Sequence, residues 1–159
     1  MARVLVVYDS ETGHTEKMAL AVAEGTRQVS EVDVVVKKVD AADNEDMLSA
    51  DGIIMGSPTY YGQMSAKVKA LIDKSVKVHG ELEGKVGAAF TSSGGTASGA
   101  ETTLLSILEA MLVHGMIVQG NPRGKHYGVA AVGAPSEKEL KLCRELGKRT
   151  AELVIKLKT

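Results

Sequence analysis

The chain has 159 residues, 44% of them hydrophobic and 25% charged, which suits one globular domain spanning residues 1–159, with no apolar run near the roughly 18 residues of a membrane span. With 19 basic and 20 acidic residues the net charge is −1, so no general attraction to nucleic acid or to anionic lipid is expected. The single Cys143 excludes an intramolecular disulfide and any multi-cysteine metal or iron–sulfur site, and a start MARVLVVY without a cleavage-site pattern fits a cytoplasmic protein.

Val4 to Tyr8 (VLVVY) is an unbroken apolar, β-favouring run and reads as a strand buried on both faces. A polar turn follows, Asp9 to Thr15, and then a helix from about His14 to Gln28 with Met18, Ala21, Val22 and Gly25 on its apolar face. Glu31 to Lys37 reads as a second strand, Asp40 to Ala50 as one short helix capped by Asp40, Asp43 or Asn44, and Asp51 to Gly56 as a third strand. The loop Ser57 to Ser65 opens onto a helix from about Ala66 to Val76. Gly84 to Thr91 is a fourth buried strand and Ser92 to Gly99 a flexible polar loop. Glu101 to His114 is the next helix, with Gly115 as its C-cap. Met116 to Gln119 is a short fifth strand, which Val129 to Val132 resumes after the turn-rich loop Gly120 to Gly128. Ser136 to Leu157 is the last helix, with Leu140, Cys143, Leu146, Leu153 and Leu157 on its buried side. Strands alternating with helices in this way require an α/β doubly wound parallel sheet with right-handed crossovers.

In such a sheet a ligand sits outside the carboxyl ends of the strands. The first turn, Ser10-Glu11-Thr12-Gly13-His14-Thr15, opens a helix, where unpaired N–H groups and the positive end of the macrodipole suit an anion. It lacks both the lysine of GxxxxGK[ST] and the glycine pattern GxGxxG, so neither a polyphosphate nor a pyrophosphate is encoded. Hydroxyls and amides without a cation suit one phosphate monoester. The loops after the third and fourth strands, Pro58-Thr59-Tyr60-Tyr61-Gly62 and Ser92-Ser93-Gly94-Gly95-Thr96-Ala97, are equally rich in Ser, Thr, Gly and Tyr. All three are expected to meet at one place.

The motif S-x-T-G-x-T after the first strand resembles the phosphate loop of flavodoxin-like proteins. With GSPTYYGQMS, FTSSGG and the helix ending HGM, the whole chain is similar to the WrbA-type NAD(P)H:quinone oxidoreductases of that group. The resemblance implies a flavodoxin-like sheet of order 2-1-3-4-5 and FMN as cofactor. It also implies that Ser10 to Thr15 hold the phosphate, that Pro58 to Gly62 wrap one side of the flavin, and that Ser92 to Ala97 border its pyrimidine edge. By the same resemblance His114 stands where that family has one of two adjacent histidines near the flavin, although Val113 precedes it here. As a plain helix terminus His114 would only favour the dipole.

Three departures pull the other way. The segment that the family inserts after its second strand is missing, there is no tryptophan, and Thr12 replaces the family's tyrosine. The chain is therefore also similar to short flavodoxins, which carry electrons between proteins. An electron carrier, a reductase using NAD(P)H and a quinone, and a binding module without flavin all stay open. Tyr60, Tyr61 and Tyr127 suggest an apolar patch and a homo-oligomer, dimer or tetramer, and Arg123, Lys125 and His126 are expected at the flavin edge. Cys143, Met55, Met64 and Met111 read as core, and Lys67, Lys69, Lys74 and Lys77 as a solvated face.

Overall fold

The computed structural model describes residues 1–159. Its centre is a parallel sheet of β1 (Ala2–Tyr8), β2 (Val32–Lys38), β3 (Gly52–Pro58), β4 (Val86–Ser93), β5 (Ile117–Val118) and β6 (Val129–Val132), with spatial order β2-β1-β3-β4-β5 and β6 also paired to β4. This is the expected 2-1-3-4-5 sheet. Its helices are α1 (His14–Arg27), α2 (Asn44–Ser49), α3 (Ala66–Lys74), α4 (Ala100–Val113) and α5 (Glu137–Lys158), with short 3₁₀ turns at Val39–Ala41 and Ser75–Val78.

Alternation along β1 divides the interior into two layers. Val4, Val6 and Tyr8 face one core with Met18 and Val22 of α1 and Cys143 and Val154 of α5. Leu5 and Val7 face the other, with Val68 and Leu71 of α3 and Leu104, Ile107 and Met111 of α4. Because each central strand is covered on both faces, its sequence carries no polar position until the strand ends.

Four details differ from the sequence reading. The Asp40–Ala50 segment splits into a 3₁₀ turn and a six-residue α2, because Asp43 accepts from the N–H of Asp46 while Asp46 accepts from the N–H of Asp43, a reciprocal capping box that starts the helix there. Ser92 and Ser93 belong to β4 and not to a loop, since they pair with Ala131 and Val132. The fifth strand position is shared: Val86 and Gly87 pair with Ile117 and Val118, whereas Phe90 to Ser93 pair with Val129 to Val132. Between them the chain leaves the sheet and returns at Gly128, where φ is 141° and a Cβ would lie 2.2 Å from the Ala89 carbonyl oxygen.

The fourth difference is in α5. Its fully buried positions are Cys143, Gly147, Thr150, Ala151 and Val154, while Leu140, Leu146 and Leu153 are half-buried and Leu157 is 50% exposed. Helices α1 and α5 touch backbone to backbone. A Cβ on Gly25 would sit 1.8 Å from the Arg144 oxygen, and one on Gly147 would sit 2.0 Å from the Val22 oxygen. At that separation small residues, not leucines, face the partner helix. No helix is long and apolar enough to cross a membrane.

Candidate functional site

The first βα turn is built around Ser10. After Tyr8 the N–H of Asp9 still donates to the Gly56 oxygen (3.1 Å), and the chain then turns through Gly13, whose φ of 93° lies in the left-handed region that glycine adopts without strain. The Ser10 hydroxyl accepts from the N–H groups of Gly13 (3.1 Å) and Glu16 (3.2 Å). Its lone pairs are engaged, and its own proton is left to donate. The N–H groups of Glu11, Thr12, His14 and Thr15 have no acceptor within the protein. Four amides at a helix start, with the exposed Thr12 hydroxyl, make a concentrated set of donors.

Thr15 plays a different part. It is buried, and its Oγ1 lies 2.8 Å from Ser92 Oγ, which ties the first loop to the end of β4. Thr59 makes the corresponding link for the second loop, its N–H donating to the Ser92 oxygen (2.8 Å) and its Oγ1 lying 2.8 Å from that of Thr91.

Beyond Thr59, Tyr60 and Gln63 exchange two backbone bonds of 3.1 Å each around Tyr61 (φ 52°) and Gly62 (φ 73°). Two successive left-handed residues define a type I′ turn, an uncommon conformation for tyrosine. The turn sends the two rings apart: Tyr60 is 45% exposed and lines a cleft, while Tyr61 is fully exposed to solvent. Gly99 allows this loop to lie on the start of α4, since a Cβ there would be 2.6 Å from Gly62 Cα.

The cleft has a volume of about 250 Å³. Glu11, Thr12, His14 and Thr15 line it from the first loop, Pro58, Thr59 and Tyr60 from the second, and Ser92, Ser93 and Gly94 from the third. The structure therefore brings the three predicted segments together at the carboxyl ends of β1, β3 and β4. Ser10 and Gly13 lie beneath the first segment as its support. Tyr61, Gly62, Gly95, Thr96 and Ala97 do not line the cleft. A Cβ on Gly94 would meet nothing within 4 Å, so the cleft is open at that residue. No lysine or arginine lines the cleft.

Gly133 lines it as well, and the sequence reading missed it. The signal was present: Val129–Val132 is a strand that ends in glycine, as the third strand does. Gly133 has φ 64° and donates its N–H to the Ser93 oxygen (2.8 Å). Asp9, 5% exposed at the tip of β1, does not line the cleft itself. Burial, with the Glu11 and Asp9 carboxylates next in weight, pushes the Tyr60 phenol above its ordinary pKa. Asp40, 3.4 Å away, is the main cause that raises the Lys67 ammonium.

His114 is not brought to the cleft. Helix α4 runs back against the direction of β4, so its last residues lie at the amino ends of the strands. There His114 Nε2 is 2.7 Å from Ser75 Oγ, and its ring centroid is 5.8 Å from that of His79. Ser75 Oγ donates to the Ile72 oxygen (2.5 Å), so the histidine must carry its proton on Nε2, and its buried Nδ1 has no partner. Burial first, and His79 second, hold the His114 pKa below the usual value.

Arg123, Lys125 and His126 also lie away from the cleft. Lys125 Nζ donates to the Ala130 oxygen (3.0 Å) and His126 Nδ1 is 2.6 Å from the Asn121 oxygen. Tyr127 stands beside Ala88, Val118 and Leu142 at the sheet edge. The three tyrosines therefore form no single patch, because Tyr60 lines the cleft, Tyr61 turns to solvent and Tyr127 stands at the sheet edge.

A parallel 2-1-3-4-5 sheet with an amide-lined first turn, an aromatic turn after the third strand and a small polar loop after the fourth defines a flavodoxin-like protein. Residues 2–124 match the family described as NADPH-dependent FMN reductase, and the chain belongs to that family. It is 45% identical to a flavodoxin of Aquifex aeolicus, over 97% of this chain and 88% of that protein. It is 39% identical to an NAD(P)H dehydrogenase (quinone) of Archaeoglobus fulgidus, over 99% of this chain and all of the other. That alignment runs over 191 positions against the 159 residues present here, so the relative carries segments that this chain lacks. A solved WrbA-like flavodoxin from Agrobacterium tumefaciens superposes with a TM-score of 0.85 at 28% identity, covering 98% and 99% of the two chains.

Proposed function

We propose that this protein is an FMN-carrying electron-transfer protein of the flavodoxin-like group, working in the cytoplasm with a redox partner protein. The observation that carries this reading is the donor set of the first turn: four amides without an internal acceptor, the Ser10 proton and the Thr12 hydroxyl, with no cation beside them. Such a set neutralises one phosphate monoester by hydrogen bonds and dipole alone. Tyr60 supplies a ring for one side of an isoalloxazine, and Ser93 and Gly94 leave room at the other. FMN, once held, supplies one- and two-electron redox chemistry. The protein's share is to bind the phosphate, orient the ring and set the charge around it.

Calorimetry with FMN, riboflavin and FAD tests this directly. Micromolar or tighter FMN binding, with riboflavin much weaker, is the expected result. A colourless protein that binds none of the three would leave only the binding-module reading.

A second reading, reduction of quinones by NAD(P)H, is favoured by the open side at Gly94, which leaves space for a planar second substrate. The Archaeoglobus relative bears that name. The two readings separate on NADH oxidation in the presence of a benzoquinone. Turnover supports the reductase, and its absence in FMN-loaded protein supports the carrier. We also propose that the chain forms a homo-oligomer.

A further inference from the structure

We propose that Tyr8, with Lys38 beside it, is a positioning residue for the phosphate turn: it holds the Glu16 carboxylate away from the first-turn amides and so leaves them to an anion. This role presupposes the phosphate site proposed above. Glu16 is the third residue of α1 and the acid of its first turn. Glu11, Thr12, His14 and Thr15 line the cleft, whereas Glu16, the next residue, does not.

An acid at this position has an ordinary use that the fold does not make of it. A glutamate in the third place of a helix commonly reaches back to the N–H of the capping residue and satisfies it. Here that N–H, on Gly13, donates to Ser10 Oγ at 3.1 Å, and the N–H of Glu16 itself donates to the same oxygen at 3.2 Å. The serine has taken the carboxylate's place. A carboxylate free to swing would compete for the amides of Thr12, His14 and Thr15, to which the positive end of the helix draws any anion. It would also repel a phosphate held there.

The end of the sheet supplies the restraint. Tyr8 and Lys38 are register partners at the ends of β1 and β2, and residues paired in register project to the same face of a sheet. Tyr8, 6% exposed and packed in the core that α1 covers, donates its hydroxyl proton to Glu16 Oε2 at 2.7 Å. The Lys38 ammonium lies 3.8 Å from the same oxygen. Burial first, and Glu16 second, push the Tyr8 phenol up to about 12, so it stays a donor near neutral pH. Lys38 and Glu16 are both exposed enough for water to screen their attraction, and the buried phenol carries most of the restraint. Tyr8 thus ties the strand that leads into the turn to the helix that leaves it. None of the three side chains lines the cleft.

Calorimetry with FMN and with riboflavin, and amide-shift NMR with inorganic phosphate on the flavin-free protein, test this. Tyr8→Phe keeps the buried ring and should keep the circular dichroism of wild type, while FMN and phosphate affinity should fall about tenfold and riboflavin affinity should hold. Glu16→Gln alone should change FMN affinity less than about threefold, since its amide oxygen still accepts from Tyr8. In the Tyr8→Phe background the same change should restore the wild-type value. A side chain that only stabilised the fold would give no such rescue. Lys38→Met, at an exposed position, should cost about threefold. Glu11→Gln, whose side chain Tyr8 does not hold, should act alike in both backgrounds. An FMN affinity unchanged by Tyr8→Phe, an equal loss for riboflavin, or a double variant no better than Tyr8→Phe would overturn this role and leave the phosphate reading standing. A wild type that takes neither FMN nor phosphate would overturn both.

Discussion

Thr12 and Thr15 carry the same hydroxyl three residues apart, and their surroundings assign them different tasks. Thr15 spends its hydroxyl on Ser92 at 2.8 Å inside the protein, whereas the exposed Thr12 side chain has no internal partner and faces the cleft. Thr12→Val should therefore leave stability unchanged and remove one hydrogen bond to a charged acceptor, about 1.5–3 kcal/mol or roughly ten- to a hundredfold in FMN affinity. Riboflavin, which lacks the phosphate, should bind the variant as it binds wild type, and fluorescence quenching of both ligands checks this. His114 makes a prediction of a different kind. Its pKa is lowered in the folded state, chiefly by burial, while in the unfolded chain an imidazole titrates near about 6.5. As the pH falls, the unfolded state takes up the proton first. The stability is fully present above about pH 6.5 and is lost as the pH drops below it toward the folded pKa. Urea midpoints of wild type should fall more between neutral and mildly acid pH than those of His114→Gln, whose amide can still donate to Ser75.

At the scale of elements, the α1–α5 contact decides how the first core closes. In an exposed helix Gly→Ala gains up to about 1 kcal/mol of propensity. At Gly147 the added methyl would lie 2.0 Å from the Val22 oxygen and 2.7 Å from Thr26 Oγ1, against backbone that cannot step aside. Overpacking of that kind costs about 1–3 kcal/mol, so the contact outweighs the propensity. Gly147→Ala should lower the free energy of unfolding in urea, although every helix-propensity scale ranks it as an improvement.

The whole molecule separates its tasks by position. The cleft-lining groups gather where β1, β3 and β4 end, and the His79–His114 pair lies at the other end of the strands. The openness at Gly94 is a property of that assembled edge. Its backbone is not left-handed and a Cβ would meet nothing, so a large side chain can be added without strain. In the FMN-loaded protein, reduced chemically, Gly94→Tyr should slow reoxidation by a benzoquinone at least about tenfold by covering the open side, with FMN affinity held or improved. Stopped-flow absorbance at the flavin band reads the rate, and an unchanged rate would show that small oxidants reach the cofactor by another route.

How much of this was legible beforehand follows the range of the interactions concerned. Buried strands written as VLVVY and helices with apolar residues three and four apart are local patterns, and with the parallel-sheet rule they pointed to a doubly wound sheet and to which three loops converge, while the strand order came from the family resemblance. The shape of the first turn was legible for the same reason, since the Ser10 hydroxyl that holds it accepts from Gly13 and Glu16, a few residues away. What depended on partners distant in sequence was decided by the tertiary structure alone. Ser92 and Ser93 became strand because β6 pairs with them; α5 buried Gly147 and Ala151 more deeply than its leucines because Gly25 lets the helices touch. Gly133 joined the cleft because β6 lies beside β4. His114 and the loop Asn121–Tyr127 left the site because a helix returning along a strand ends at the opposite edge, and because a split fifth strand sends its loop sideways. A side chain's chemistry can be read from its letter, but which end of a sheet it occupies is set by the direction of the element that carries it.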